Sequence, residues 1–203
     1  MASSVDGYIG WRKLESDEQR MGVGLTSDVD HDFLKMQMSE CDAIIVGASS
    51  IRANGNCLTY CGRGGRKPAW LVLARSELPE GLSFWCQDEI PRMIFSPKRL
   101  PVFSPHVSNI ISEPEQLALK ITDYCREHGY DRVLLFGGGL VNRIFYQAGL
   151  VDRLKVSIAP LLIGRVGAPR LMAEGLDHPI KMNLQSSHSS ENFVFLEYTV
   201  EKS

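Results

Sequence analysis

The chain has 203 residues, 44% of them hydrophobic, and 22 Lys and Arg against 24 Asp and Glu give a formal charge of −2. That length supports one good hydrophobic core, so a single domain over residues 1–203 is expected. Near-neutral charge with scattered basic residues excludes the electrostatic footprint of a nucleic-acid or membrane-surface binder. With no bilayer-length apolar stretch and no signal-peptide pattern, the expectation is a cytoplasmic protein acting on a small molecule.

In chain order, Val29, Phe33, Met36 and Cys41 recur near helical spacing and predict a helix over 29–40, with Asp28 as its N-cap. Ala43-Ile44-Ile45-Val46-Gly47 is a short continuous apolar run, the mark of a strand buried on both faces. A long loop, 52–68, follows and is read as lying at that strand's carboxyl end, where functional loops gather; a linker is the alternative. Strands are predicted at 70–74 and 93–95. Ser112-Glu113-Pro114-Glu115 reads as a capping box, Leu117, Ile121, Tyr124 and Cys125 form one helical face, and Gly129 ends that helix.

Val133-Leu134-Leu135-Phe136 then breaks into Gly137-Gly138-Gly139, opening an amphipathic helix that Gly149 stops. Glycine permits positive φ and leaves no Cβ between backbone amides and a ligand, and a helix N-terminus favours an anion. Phosphate binding and simple packing both fit these glycines. The wording is neither a dinucleotide fingerprint, since Asn142 replaces the third glycine, nor a P-loop. A strand follows over 154–160, and 180–200 reads as an antiparallel edge hairpin turning at Ser189-Ser190-Glu191-Asn192. The order predicts an α/β fold: a central, mostly parallel sheet flanked by helices, with a C-terminal antiparallel hairpin.

Cys41, Cys57, Cys61, Cys86 and Cys125 show no recurrent paired spacing, and Cys57 with Cys61 lacks a second Cys/His pair to complete a zinc site. Free, partly buried thiols and no metal are expected. The five histidines are isolated from one another.

Several segments, taken in order, resemble the reductase domain of riboflavin biosynthesis, a relative of dihydrofolate reductase. They are Ser4-Val5-Asp6-Gly7-Tyr8-Ile9, Asp42 to Arg52, Leu58-Thr59, Phe136 to Gly139, Gly149-Leu150-Val151-Asp152 and Ile158 to Gly164. The likeness covers nearly the whole chain, with the family's usual first strand shortened or missing. The H-x-E and P-C-x-x-C patterns of the zinc deaminase fused to some relatives are absent, so a reductase alone is implied.

The resemblance implies an NADPH-dependent oxidoreductase, with NADPH across the carboxyl ends of the parallel strands. It places Gly47, Ser50, Asn54, Arg75, Ser76, Gly137, Gly138, Gly139, Leu140, Val141, Asn142 and Ile144 at the cofactor, with Arg75 and Ser76 at the adenosine 2′-phosphate. The implied reaction is hydride transfer to the ribosyl C1′ of a phosphoribosylamino-pyrimidine, with Asp6 near the reacting centre or, alternatively, merely in a turn. Phe136 stands where many relatives have a glutamate, and Met38 and Cys61 where arginines meet the substrate phosphate. Leu58, Lys35, Arg63 and Phe136 are the substrate candidates. The resemblance also implies a cis peptide within 137–139 and a homodimer through the C-terminal strands. A reductase of a pterin or other heterocycle and a non-catalytic nucleotide-binding protein of the same fold are the alternatives.

Overall fold

A computed structural model describes residues 1–202. Its elements are β1 (Ala2–Ser4), α1 (Asp17–Gly22), α2 (Asp28–Ser39), β2 (Ala43–Gly47), α3 (Ala48–Asn54), β3 (Ala69–Leu73) and β4 (Arg92–Ser96). They continue with β5 (Val107–Ile111), α4 (Leu117–Glu127), β6 (Val133–Leu135), α5 (Gly139–Gln147), β7 (Arg153–Ala159), β8 (Met182–Ser190) and β9 (Phe193–Val200). The chain divides into two compact units: a continuous one, Lys35–Phe136, and one built from Met1–Leu34 together with the residues from Gly137 onward.

In the continuous unit, β2 to β6 form a fully parallel sheet in the order β5-β4-β3-β2-β6. Every residue of β2 and β3 except Gly47 is buried, which is why both read as unbroken apolar runs. The core includes Ile44, Val46, Leu71, Ile94 and Phe95, with Trp70 and Trp85 also buried. The chain steps from β2 through β3 and β4 to β5, and then β6 returns on the other side of β2, so the strand order reverses between β2 and β6.

β5 escaped the sequence reading because Val107-Ser108-Asn109-Ile110-Ile111 is a half-polar edge strand with Ile111 exposed. Asn109 fastens it, donating to Ser96 Oγ (2.6 Å) and accepting from the Leu100 N–H (2.7 Å). The capping box before α4 is not formed. A 3-10 turn, Pro114–Gln116, precedes the helix without a side-chain cap, and the Ser112 hydroxyl donates to the Glu113 carbonyl instead. At the other end Gly129, at φ 67°, closes α4 as expected, with the N–H groups of Gly129 and Tyr130 donating to Arg126 and Cys125. Helix α2 begins one residue earlier than read, with Ser27 Oγ accepting from the Asp30 N–H.

The second unit carries a mixed sheet in the order β1-β7-β9-β8, with β1 parallel to β7 and the other pairs antiparallel. The hairpin turns at Glu191-Asn192, with φ of 49° and 71°, the sign of a type I′ turn. Because β9 lies between β7 and β8, the edge strands of this sheet are β1 and β8, and all nine residues of β8 are exposed. Phe193 and Phe195 point inward and join Tyr8, Leu25, Ala159 and Ile163 in the core. Phe33 of α2 packs on Phe195 with ring centroids 4.9 Å apart. A buried hydrogen bond from Ser157 to Asp30 ties β7 to α2. Trp11 lies at the surface under the Arg165 guanidinium, 4.8 Å from its ring centroid.

Candidate active site

β6 hands the chain to the glycines through one last sheet-type bond, Phe136 N–H to the Ile45 carbonyl at 2.8 Å. Gly137 and Gly138 then take φ of 70° and 94°, and α5 starts at Gly139. All peptide bonds among the described residues are trans, so the cis bond expected within 137–139 is corrected: two consecutive positive-φ glycines make the turn.

The three glycines have different surroundings. A Cβ on Gly137 would fall 2.0 Å from Met1 Cε and 2.7 Å from Asn142 Oδ1, and one on Gly139 would fall 2.3 Å from the Arg170 carbonyl. At Gly138 nothing lies within 4 Å. Gly137 and Gly139 are therefore close-packing glycines, and Gly138 has open space where a Cβ would stand. No side chain caps α5, so the amides of its first turn are left to a ligand or water.

A strap from the β7–β8 connection is laced to this helix start. Ala173 N–H donates to the Gly139 carbonyl, Asn142 Nδ2 to the Leu171 carbonyl (2.6 Å), and Arg143 to the Glu174 carbonyl (2.8 Å). Asn142, 4% exposed, is thus a buried brace. Val141 faces the core, while Leu140 and Ile144 are half-buried.

In the continuous unit the carboxyl ends of β2 and β6 are neighbours at the point where strand order reverses, the usual ligand position in open parallel sheets. β2 runs through Gly47 into α3, which is anchored by the buried Ala48 and Ile51 and leaves Ser50 and Asn54 half-buried. After β3, Arg75 and Ser76 are exposed. Arg52 was given no role by sequence, yet its Nη2 donates to the Ser76 carbonyl (2.7 Å), Ser76 Oγ (2.8 Å) and the Glu77 carbonyl (3.0 Å). The only signal for it was topological: α3 and the segment after β3 leave adjacent strands at the same end of the sheet.

Asp6 sits in a turn closed by the Gly7 N–H to the Ser4 carbonyl. Its carboxylate accepts from Ser4 Oγ (2.6 Å) and from the N–H groups of Ile163 (3.1 Å) and Gly164 (2.7 Å). The Ser4 hydroxyl first, and then these amides, hold its pKa down to about 2. At neutral pH it is a fixed anion pinning the segment after β7 and has no proton to give.

Among the substrate candidates, Phe136 and Leu58 are half-buried, and exposed Lys35 has its ammonium 5.7 Å from the Tyr60 ring centroid. Arg63 is a correction. Its N–H donates to the Cys41 carbonyl and its guanidinium meets Asp42 (3.3 Å) and Asp131 (3.7 Å), so it lies at the amino ends of β2 and β6. The reason is the parallel crossover: the loop 52–68 leaves β2 at its carboxyl end but must return to the amino end of β3. Met38 is fully buried and Cys61 exposed. All five cysteines are free thiols, and burial pushes the Cys41 thiol up to about 12. A cavity of about 130 Å³ among Ala69, Pro91, Arg92 and His106 also lies at the amino ends, away from the glycine turn.

The family profile described as the RibD C-terminal domain matches residues 1–196. The chain is 27% identical over 175 residues to the 2,5-diamino-6-ribosylamino-4(3H)-pyrimidinone 5′-phosphate reductase of Methanothermobacter thermautotrophicus, covering 79% of this chain and 81% of that protein. It is 27% identical over 179 residues to the riboflavin biosynthesis protein RibD of Synechocystis, covering 85% and 47%. Among solved structures, a deaminase/reductase from Thermotoga maritima superposes with a TM-score of 0.76 at 19% identity, over 98% of this chain and 54% of that one. A pyrimidine reductase-like protein from Corynebacterium diphtheriae gives 0.75 at 22%, over 99% and 90%. The chain thus spans about half the length of the Synechocystis and Thermotoga proteins. With the profile matched almost end to end and the α/β fold shared, this chain belongs to the RibD C-terminal domain family.

Proposed function

We propose that the chain is an NADPH-dependent reductase of riboflavin biosynthesis. Its substrate is 5-amino-6-(5-phosphoribosylamino)uracil or the diaminopyrimidinone that precedes it. The observation that carries the reading is the glycine turn, which follows directly on β6, with nothing within 4 Å of the position a Cβ on Gly138 would take. The residues present suit a dinucleotide: bare backbone and an uncapped helix for pyrophosphate, and an exposed guanidinium and hydroxyl at Arg75 and Ser76 for a 2′-phosphate.

A bound NADPH would supply a hydride from nicotinamide C4 to the ribosyl C1′, with the bond from C1′ to the ring oxygen breaking and that oxygen taking a proton from water, so that the sugar opens to a ribityl chain. The protein's part is alignment. Gly138 with the amides of Gly139, Leu140 and Val141 holds the pyrophosphate, and Ser50 and Asn54 contact the cofactor as well. Phe136, Leu58 and Lys35 take the substrate. Asp6 acts as a positioning anion that fixes Ile163 and Gly164. The assembly proposed is a cytoplasmic homodimer. Among the described residues no helix is long and apolar enough to cross a membrane.

Protein mixed with NADPH and the aminouracil phosphate is expected to oxidise the nicotinamide, followed by its absorbance. Oxidation with dihydrofolate but not the aminouracil would select a pterin reductase. Oxidation with neither, alongside retained NADPH binding, would select a non-catalytic nucleotide-binding protein.

A further inference from the structure

The segment after β3 has a particular construction. Ala74 is buried, with its N–H on the Phe95 carbonyl, and Leu78 is buried, with Trp85 Nε1 donating to the neighbouring Pro79 carbonyl at 2.7 Å. Between these anchors, Arg75, Ser76 and Glu77 are exposed, and they are bridged from α3 by a single nitrogen of Arg52. Arg52 sits in the last turn of a helix whose Ile51 is 1% exposed, so the bridge comes from a fixed base.

The direction of one of these bonds has a chemical result. A guanidinium only donates, so Ser76 Oγ accepts from Arg52 and the serine's single O–H is left to donate outward. A donor polarised by a cation behind it is a stronger donor. An anion taken by that hydroxyl lies one hydrogen bond beyond the Arg52 charge, with Arg75 next in the chain.

We propose that Arg52 is a specificity-determining positioning residue for the cofactor, acting through Ser76 to select a 2′-phosphorylated adenosine. This rests on the NADPH reading above. Arg52 orders the 75–77 segment before the ligand arrives, which lowers the entropy cost of binding, and sets the serine hydroxyl as a donor. Glu77 is the segment's acid. Arg52 holds its backbone carbonyl, and an acid presented to the ribose hydroxyls would instead favour a cofactor without the phosphate.

The test is calorimetric titration of the whole protein with adenosine 2′,5′-bisphosphate and with adenosine 5′-monophosphate, whose affinity ratio isolates the 2′-phosphate. Wild type is expected to prefer the bisphosphate, and Arg52→Ala to cut that preference by about tenfold with little change for the monophosphate. Arg52→Lys, with three donors on one nitrogen, restores part of it. Ser76→Ala lowers the ratio on its own, and adding Arg52→Ala to it lowers the ratio little further, because one residue acts through the other. An unchanged ratio in Arg52→Ala, or equal loss of both ligands, overturns the proposal while leaving the NADPH reading standing. Absence of any preference in wild type would instead overturn the placement of the 2′-phosphate at this segment. Should Arg52→Ala fail to fold by circular dichroism, Arg52→Lys and Ser76→Ala decide: a ratio that neither lowers overturns the proposal.

Discussion

At Gly138 an alanine would meet no neighbour within 4 Å, but it would be held at φ 94°, whereas at Gly139 it would meet the Arg170 carbonyl at 2.3 Å. The expected costs differ in kind. Gly138→Ala carries backbone strain of roughly 1–2 kcal/mol and weakens NADPH binding in a folded protein. Gly139→Ala forces the strap to shift, at about 1–3 kcal/mol of stability. Urea denaturation with fluorimetric NADPH titration separates the two; equal loss of affinity and stability in both variants would contradict the assignment. The sequence leaves phosphate binding and packing open for this run, and the structure separates the two tightly packed glycines, Gly137 and Gly139, from the open one, Gly138. That separation depends on Met1 and Arg170, residues too far away along the chain for any local pattern to show, as well as on nearby Asn142. Asp6 offers a second test. Its carboxyl has a pKa of about 2 against an ordinary 3.8, and a group whose pKa is lower folded than unfolded stabilises the fold above its unfolded value. That contribution is lost as pH falls through the folded value. Asp6→Asn is therefore expected to be less stable than wild type at neutral pH, with the gap closing as pH drops from 3.8 towards 2. A gap that stays constant over that range would show that the charge is not what holds the turn.

Elements are legible where their pattern is fully apolar or ends on glycine, as at β2, β3 and the end of α4, and the hairpin is legible from its polar turn at Glu191-Asn192. Those set by partners were not. β5 is half polar and held by the Asn109 side chain, and the start of α4 is a proline-led 3-10 turn in place of a capped helix. Arg63 went astray for a topological reason, since a parallel crossover carries the second half of its loop to the far end of the sheet. The C-terminal strands show the same dependence. The hairpin 180–200 is expected at a sheet edge, but only one of its strands lies there: β9 is interior to its sheet, and β8, with Met182 and Leu184 exposed on it, is an edge strand. An edge of that kind invites a partner strand, and in the proposed homodimer β8 is the pairing element. Leu184→Lys is then expected to give a monomer by light scattering at micromolar concentration where wild type is dimeric. A wild-type monomer would count against the assembly, and a dimeric variant against the use of β8.

For the whole molecule, the chain passes from one compact unit to the other twice, at Leu34–Lys35 and at Phe136–Gly137. The first passage falls inside α2, whose Phe33 packs on Phe195 and whose Met38 is buried. We propose that residues 1–203 fold as one domain, and a single cooperative transition is expected in denaturant. Two separated transitions would show independent units. The placement of the tryptophans makes the question answerable by light. Trp70 and Trp85 are buried in the continuous unit and should emit towards the blue, whereas Trp11 in the other is 37% exposed, beneath the Arg165 cation, and should emit towards the red. Replacing Trp11 with Phe, or Trp70 and Trp85 together, leaves a fluorophore set confined to one unit. The unfolding curves of the two variants, each referred to its own circular dichroism, then read the two units separately in one unlabelled chain.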